Sequence, residues 1–253
     1  MRVFLTGASS GIGAALAREY AKAGAQLGLF ARRADALSAL AASLAPATPA
    51  LYAGDVRDQG RLAAAAADFT QRYGVADVVI ANAGISRGTL TDHAEDNVAF
   101  RAILDTNVVG MLHAFQPFLP AMRAARAGKL VGIASVAGFR GLPGAGAYSA
   151  SKAAAIRYLE SLRVELVGTG VEVITICPGY VATPMTAKNP YPMPFLLPAD
   201  EAARLIVRAI ARGRRFYVLP WQMAWVGRVL SLLPRPLYDK VLARAQRKPR
   251  IDT

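Results

Sequence analysis

Short apolar runs alternate with longer alanine-rich segments along most of the chain. The runs fall at 3–7 (VFLTG), 26–31 (QLGLFA), 50–56 (ALYAGDV), 76–84 (ADVVIANAG), 129–135 (KLVGIAS), 171–179 (VEVITICPG) and 215–220 (RFYVLP). They are apolar throughout rather than at every second position, the pattern of strands buried on both faces of a parallel sheet. The segments between them predict helices near 12–23, 34–44, 58–73, 96–115, 148–167 and 200–212. Strand–helix alternation with right-handed crossovers gives an α/β fold: a doubly wound, mostly parallel sheet flanked by helices. No linker or repeat divides it, so residues 1–220 are expected to form one dinucleotide-binding and catalytic domain. Residues 221–253 read as a basic, amphipathic extension of that domain, an extra C-terminal helical tail.

Composition narrows the picture. A chain of 253 residues, 54% of them hydrophobic, can fill one large core. One cysteine, Cys177, permits no intramolecular disulfide, and with only His93 and His113 beside it no metal site is expected. The opening MRVFLTGASSG reads as a strand entering a glycine turn, not as a leader, and no run of about 18 consecutive apolar residues is present. The expected location is cytoplasmic, with a second option of peripheral membrane contact. That option comes from charge. Of the net +13, +9 lies in residues 201–253, which hold 12 Lys and Arg against 3 Asp and Glu. A solvated tail, an anionic membrane surface and a phosphate-bearing ligand all fit this excess. Nucleic acid is not expected, because no DNA- or RNA-binding motif accompanies the charge. Within 221–250, Trp221, Ala224, Trp225, Val229 and Leu232 recur at helical spacing beside arginines. A helix that packs over the pocket or across a dimer is the preferred reading, and one lying on a bilayer the alternative.

Ligands of such sheets bind at the carboxyl ends of the strands, where strand order reverses. Gly7, Arg32, Asp55, Asn82, Ser135 and Pro178 all fall at predicted strand ends. TGASSGIG (6–13) joins the first strand to the first helix. Gly7, Gly11 and Gly13 allow a tight turn and close backbone approach to a pyrophosphate, which the helix N-terminus, around Ser9, Ser10 and Ile12, then receives. An ordinary serine-capped glycine turn is the plainer reading. At the end of the second strand, where a carboxylate would hold a free ribose 2′-hydroxyl, stand Ala31, Arg32 and Arg33. Guanidinium groups suit a 2′-phosphate, so NADP(H) is preferred, with NAD(H) as the second option. Asp55, followed by Val56, could accept a hydrogen bond from adenine; Asn82, Ala83 and Gly84 could bring backbone against the adenine ribose.

YSASK (148–152) places a phenol and an ammonium four residues apart, on one face of a helix. By itself this is equally the polar face of a surface helix. A cation beside a tyrosine favours the phenolate and brings the hydroxyl toward proton exchange with a carbonyl or alcohol oxygen. Ser135 could donate to the same oxygen, or cap a local backbone group. Cys177 reads as a packed core thiol, and neither histidine is given a role.

Taken in order, TGASSGIG, DV (55–56), NAG (82–84), TN (106–107), Ser135, YSASK and PGYVAT (178–183) resemble the short-chain dehydrogenases/reductases in their compact single-domain, Rossmann-like form. The resemblance covers about residues 1–220. It implies an NAD(P)-dependent oxidoreductase interconverting a ketone or aldehyde and an alcohol, with Asn107, Ser135, Tyr148 and Lys152 as the catalytic set. It further implies that Lys152 bonds the nicotinamide ribose and that Asn107 holds a relay water. Pro178, Gly179, Val181 and Thr183 are expected at the nicotinamide, and a homodimer or homotetramer is expected through the helices near 96–115 and 148–167. The segment 183–198, rich in proline, methionine and aromatics, reads as a lid over a hydrophobic small-molecule substrate, with 137–147 as the opposite wall. The alternatives are a membrane-surface lipid carbonyl reductase and a non-catalytic cofactor sensor.

Overall fold

A computed structural model describes residues 1–250. The seven apolar runs form strands β1 (Arg2–Thr6), β2 (Gln26–Ala31), β3 (Ala50–Ala53), β4 (Val78–Ala81), β5 (Lys129–Ile133), β6 (Glu172–Pro178) and β9 (Phe216–Leu219). They make one parallel sheet in the order β3-β2-β1-β4-β5-β6-β9. Order reverses between β1 and β4, which leaves a crevice above their carboxyl ends. Several observed strands are shorter than the apolar runs. β3 and β4 end before Asp55 and Asn82, so those residues stand on the loops that line the crevice.

Helices cover both faces. On one, α1 (Gly11–Lys22), α2 (Ala34–Ser43) and α8 (Ala199–Ala211) bury Leu16, Tyr20, Leu37 and Ile206. On the other, α3 (Gln59–Tyr73), α5 (Gly110–Phe115) and α7 (Gly146–Glu165) bury Leu62, Phe69, Phe115 and Leu159. Phe4 anchors this second layer, with Phe69 edge-on at 5.5 Å and Phe118 at 4.8 Å.

The helix expected over 96–115 is not continuous. α4 (Asp96–Leu104) passes into a π-helical turn at Asp105–Val109 before α5 begins. The Gly110 amide reaches back five residues to the Asp105 carbonyl. Asn107 sits inside this turn, and such turns gather at functional sites. A further helix, α6 (Leu119–Ala125), follows. The whole run Asp96–Ala125 is long and apolar enough to cross a bilayer by composition, with mean hydropathy 1.2. Here one face of it packs into the fold, with Met111, Phe115 and Met122 in the second core layer, while Val98 and Leu112 are exposed.

Two short strands, β7 (Val181–Ala182) and β8 (Leu197–Pro198), pair and close the base of the loop between them. The tail forms α9 (Trp221–Leu232) and α10 (Arg235–Leu242). The stripe that looked like a packing face points outward: Trp221 is 69% exposed, Trp225 64% and Leu232 76%. α9 packs instead through Met223 and Gly227, against Gly179 and Phe139.

Candidate active site

The crevice at the strand reversal is a cleft of about 410 Å³. It is lined by the residues expected there for cofactor and catalysis, with two exceptions, Gly13 and Asn107, which sit behind its wall.

The floor is the glycine turn. Gly7 has φ +66° and Gly11 φ +55°, where a side chain would be strained. A Cβ on Gly7 would come within 2.7 Å of the Ala83 backbone, and one on Gly13 within 2.1 Å of the Gly7 carbonyl oxygen. The turn is thus pressed against β4 and its own helix. Asn82 pins it, donating from Nδ2 to the Thr6 and Gly7 carbonyls at 3.1 Å each. Thr6 Oγ1 in turn accepts from the Asn82 and Ala83 amides at 3.1 and 3.2 Å. Ser10 precedes α1 without side-chain capping, and the first turn holds no acidic residue. Uncapped amides, a positive dipole end and no repelling carboxylate fit a diphosphate.

Ala31 ends β2 buried, and Arg32 and Arg33 follow it, exposed at the rim. Arg33 donates to Ser9 Oγ at 3.3 Å. Asp55 is gripped by Arg57, with Oδ2 at 2.7 Å, and the Arg57 hydrogen bond holds its carboxyl below the usual range.

Tyr148 and Lys152 lie on α7, one turn apart. Lys152 is 4% exposed and donates to the Ile133 carbonyl at the end of β5, at 2.8 Å. Its Nζ stands 5.8 Å from the centre of the Tyr148 ring. Burial pushes the ammonium down to about 8. Burial also raises the Tyr148 hydroxyl, and the neighbouring Ser135 side chain only partly opposes it. The sequence expectation was a phenol pulled down by its lysine and the nicotinamide charge. In the protein alone, desolvation dominates and shifts the phenol upward, so the tyrosine stays a neutral donor. Ser135 Oγ also donates to the Pro178 carbonyl at 3.3 Å and accepts from the Ala137 amide at 3.1 Å.

Asn107 is fully engaged. Oδ1 accepts from the Ile85 amide at 2.8 Å; Nδ2 donates to the Ile85 carbonyl at 3.0 Å and to Ser151 Oγ at 2.9 Å. Ser151 Oγ in turn donates to the Tyr148 carbonyl at 2.7 Å. The π turn is therefore tied to the loop after β4 and to the first turns of α7. A Cβ on Gly84 would lie 3.2 Å from Asn107 Oδ1 and 3.6 Å from Lys152 Nζ, so this glycine keeps the space between them open. Cys177 is buried, its thiol pushed up to about 12 by desolvation, as a packed core thiol should be.

The lid begins as a self-bonded turn. Thr186 Oγ1 donates to the Val181 carbonyl at 2.6 Å and accepts from the Thr183 amide at 3.0 Å. Pro184, Met185 and Thr186 join the lining. Tyr180 and Tyr191 meet at 6.4 Å, and Tyr191 is close enough to feel Tyr148.

Sequence reasoning missed Thr6, Ile85, Arg57 and Ser151. Ser151 had a signal, falling three residues after Tyr148 within YSASK. Ile85 had none, because it acts through its backbone.

An α/β crevice with a glycine cradle and a Tyr–Lys–Ser group, its lysine and serine buried, defines a nicotinamide-dependent oxidoreductase. The chain belongs to the short chain dehydrogenase family, whose model matches residues 1–192. It is 40% identical over 248 residues to an uncharacterized oxidoreductase of Myxococcus xanthus, covering 95% of each chain. A short-chain dehydrogenase from Streptomyces avermitilis superposes with a TM-score of 0.81 at 27% identity, over 96% of this chain and 97% of that one. An alcohol dehydrogenase from Thermococcus sibiricus, complexed with 5-hydroxy-NADP, superposes at 0.76 with 26% identity, over 86% and 94%.

Proposed function

We propose that the protein is an NADP(H)-dependent carbonyl reductase, working through Tyr148, Lys152, Ser135 and Asn107. The observation that carries this reading is that Tyr148 and Lys152, one turn apart on α7, line the same glycine-cradle crevice as Ser135, with Lys152 Nζ 5.8 Å from the Tyr148 ring. When bound, the nicotinamide supplies the hydride to the carbonyl carbon, or takes it from the alcohol in reverse. Ser135 and Tyr148 bond the carbonyl oxygen and fix its place; Tyr148 delivers the proton as negative charge grows there. Lys152, fixed by the Ile133 carbonyl, places a cation behind the phenol and a donor toward the nicotinamide ribose. Asn107 holds Ile85 and Ser151, and so the crevice wall and α7, in register. Arg32 and Arg33 favour NADP(H), since no carboxylate at the end of β2 opposes a 2′-phosphate. The 5-hydroxy-NADP bound by the Thermococcus enzyme agrees with this choice.

The test is oxidation of NADPH and of NADH against a panel of ketones, aldehydes and quinones, with wild type and Tyr148→Phe. NADPH is expected to be preferred and Tyr148→Phe to lose at least about 10²-fold in kcat. Near wild-type turnover by the phenylalanine variant would overturn the mechanism.

A second reading adds peripheral membrane contact. It is favoured by the exposed Trp221, Trp225 and Leu232 on α9 beside an arginine-rich tail. Exposed Val98, Leu112, Val164 and Val167 on the helices of 96–115 and 148–167 support a homodimer or homotetramer through those faces.

A further inference from the structure

Beyond α10 the chain turns back across the loop after β4 and the loop before α7, beside Tyr148. Pro249 accepts from the Gly88 amide at 2.9 Å. Gly144, in the loop before α7, lies so close beneath that a Cβ there would come within 2.9 Å of Arg247 Cβ and of the Lys248 amide nitrogen. A Cβ on Gly88 would come within 2.4 Å of the Lys248 carbonyl oxygen. Arg250 locks the end, with Nε 2.8 Å from Asp96 and Nη2 2.7 Å from Glu95. Earlier in the tail, Arg140 stacks on Tyr238 at 3.9 Å and donates to the Leu230 and Leu233 carbonyls, while the Tyr238 hydroxyl donates to the Gly141 carbonyl. The strap therefore belongs to the folded site.

One residue of this strap faces the catalytic tyrosine. Lys248 Nζ stands 5.6 Å from the centre of the Tyr148 ring, slightly nearer than Lys152 at 5.8 Å, yet Lys248 is not among the residues lining the dinucleotide cleft. Its partner is a neutral one, Ser86 Oγ at 2.7 Å. Among the described residues it makes no ion pair, in contrast to its neighbour Arg250. An ammonium partly withdrawn from water, with a hydroxyl and a neutral aromatic ring as its partners, lacks a full countercharge; burial accordingly lowers its proton affinity.

We propose that Lys248 is a specificity-determining residue that selects carbonyl substrates bearing a carboxylate close to the reacting carbon. A substrate oxygen at Tyr148 and Ser135 brings its adjoining atoms beside Lys248, where a carboxylate supplies the missing countercharge and a charge-assisted hydrogen bond. The proposal rests on the reductase reading for the reaction, but not for the binding site itself.

The experiment has two arms. In the first, kcat/KM is measured for oxo acids with the carboxylate one to four carbons from the ketone, each against its methyl ester. Wild type is expected to favour at least one acid by tenfold or more. Lys248→Met should remove that preference while changing the ester rates less than threefold, and Lys248→Arg should keep it. In the second arm, octanoate and octan-1-ol are compared as stabilisers of the wild-type protein by thermal melting, which needs no turnover and no variant. Octanoate should raise the melting temperature, and the rise should vanish in Lys248→Met.

Equal handling of acids and esters by wild type, with no octanoate effect, overturns the proposal. So does equal loss on both in Lys248→Met, which would make the strap merely structural. Octanoate stabilisation without turnover of any carbonyl would retain the anion site and remove the reductase reading; turnover without acid preference would do the reverse.

Discussion

Lys152 is where burial and charge meet most directly. The ammonium is useful only while protonated, and burial brings its titration down to about 8. The groups around it are not expected to titrate first. Tyr148 is shifted upward, Cys177 is pushed up to about 12, and the Ile133 carbonyl is neutral; Lys248, also lowered by burial, faces the same phenol, so the profile is to be read in Lys248→Met as well. Reductive kcat/KM should therefore hold at lower pH and fall as pH rises through about 8, where Lys152 loses its proton. Lys152→Met should lose about 10²-fold or more and show no such limb in a pH–rate profile. A limb that persists in the methionine variant would assign the titration to another group. The residue types at this site were legible in the sequence, because side-chain chemistry at fixed spacing is written there. The direction of the Tyr148 shift was not, because desolvation depends on what the whole fold packs around the phenol. Ile85 escaped for a related reason, since it contributes only an amide and a carbonyl.

At the level of elements, the strands and their parallel order followed from uninterrupted apolar runs, and the helices from what lay between. The π turn did not, since an inserted residue leaves hardly any trace in an alanine-rich helical pattern; only the asparagine at position 107 hinted at it. The stripe on α9 was legible as a face, but helical spacing does not say which way a face points; Met223 and Gly227 make the contact with the body and the stripe is exposed on the single chain. The glycine turn makes a sharp test of element packing. Gly13 is helical, so alanine would suit its backbone, but the added methyl would meet the Gly7 carbonyl oxygen at 2.1 Å. Gly13→Ala should therefore destabilise the fold by about 1–3 kcal/mol in denaturant unfolding, and weaken NADPH binding as the turn moves. The intrinsic preference for alanine in a helix, about 1 kcal/mol, works against this. A stabilised variant would mean that the turn and α1 can separate without cost.

Across the whole molecule, charge and apolar surface converge on the tail. The sequence showed the excess of +9 in residues 201–253 but not its arrangement. In the fold, Arg250 pairs with Asp96 and Glu95 and Lys248 donates to Ser86, so part of the excess is ordered against the body rather than a solvated fringe. Trp221, Trp225 and Leu232 remain exposed on α9, whose other face, through Met223, packs on Gly179 at the wall of the cleft. An exposed tryptophan face flanked by arginines suits the headgroup layer of an anionic bilayer, where aromatic insertion and electrostatic attraction add. The full chain is expected to float with vesicles containing phosphatidylserine at low salt, to release as salt rises, and to ignore neutral phosphatidylcholine vesicles. Trp221→Ala with Trp225→Ala should weaken flotation severalfold and leave NADPH oxidation unchanged, because neither side chain lines the cleft. If the wild-type chain stays at the bottom of the gradient with anionic vesicles, the stripe belongs to contacts between copies of the protein, and its mass in solution should then fall when both tryptophans are removed.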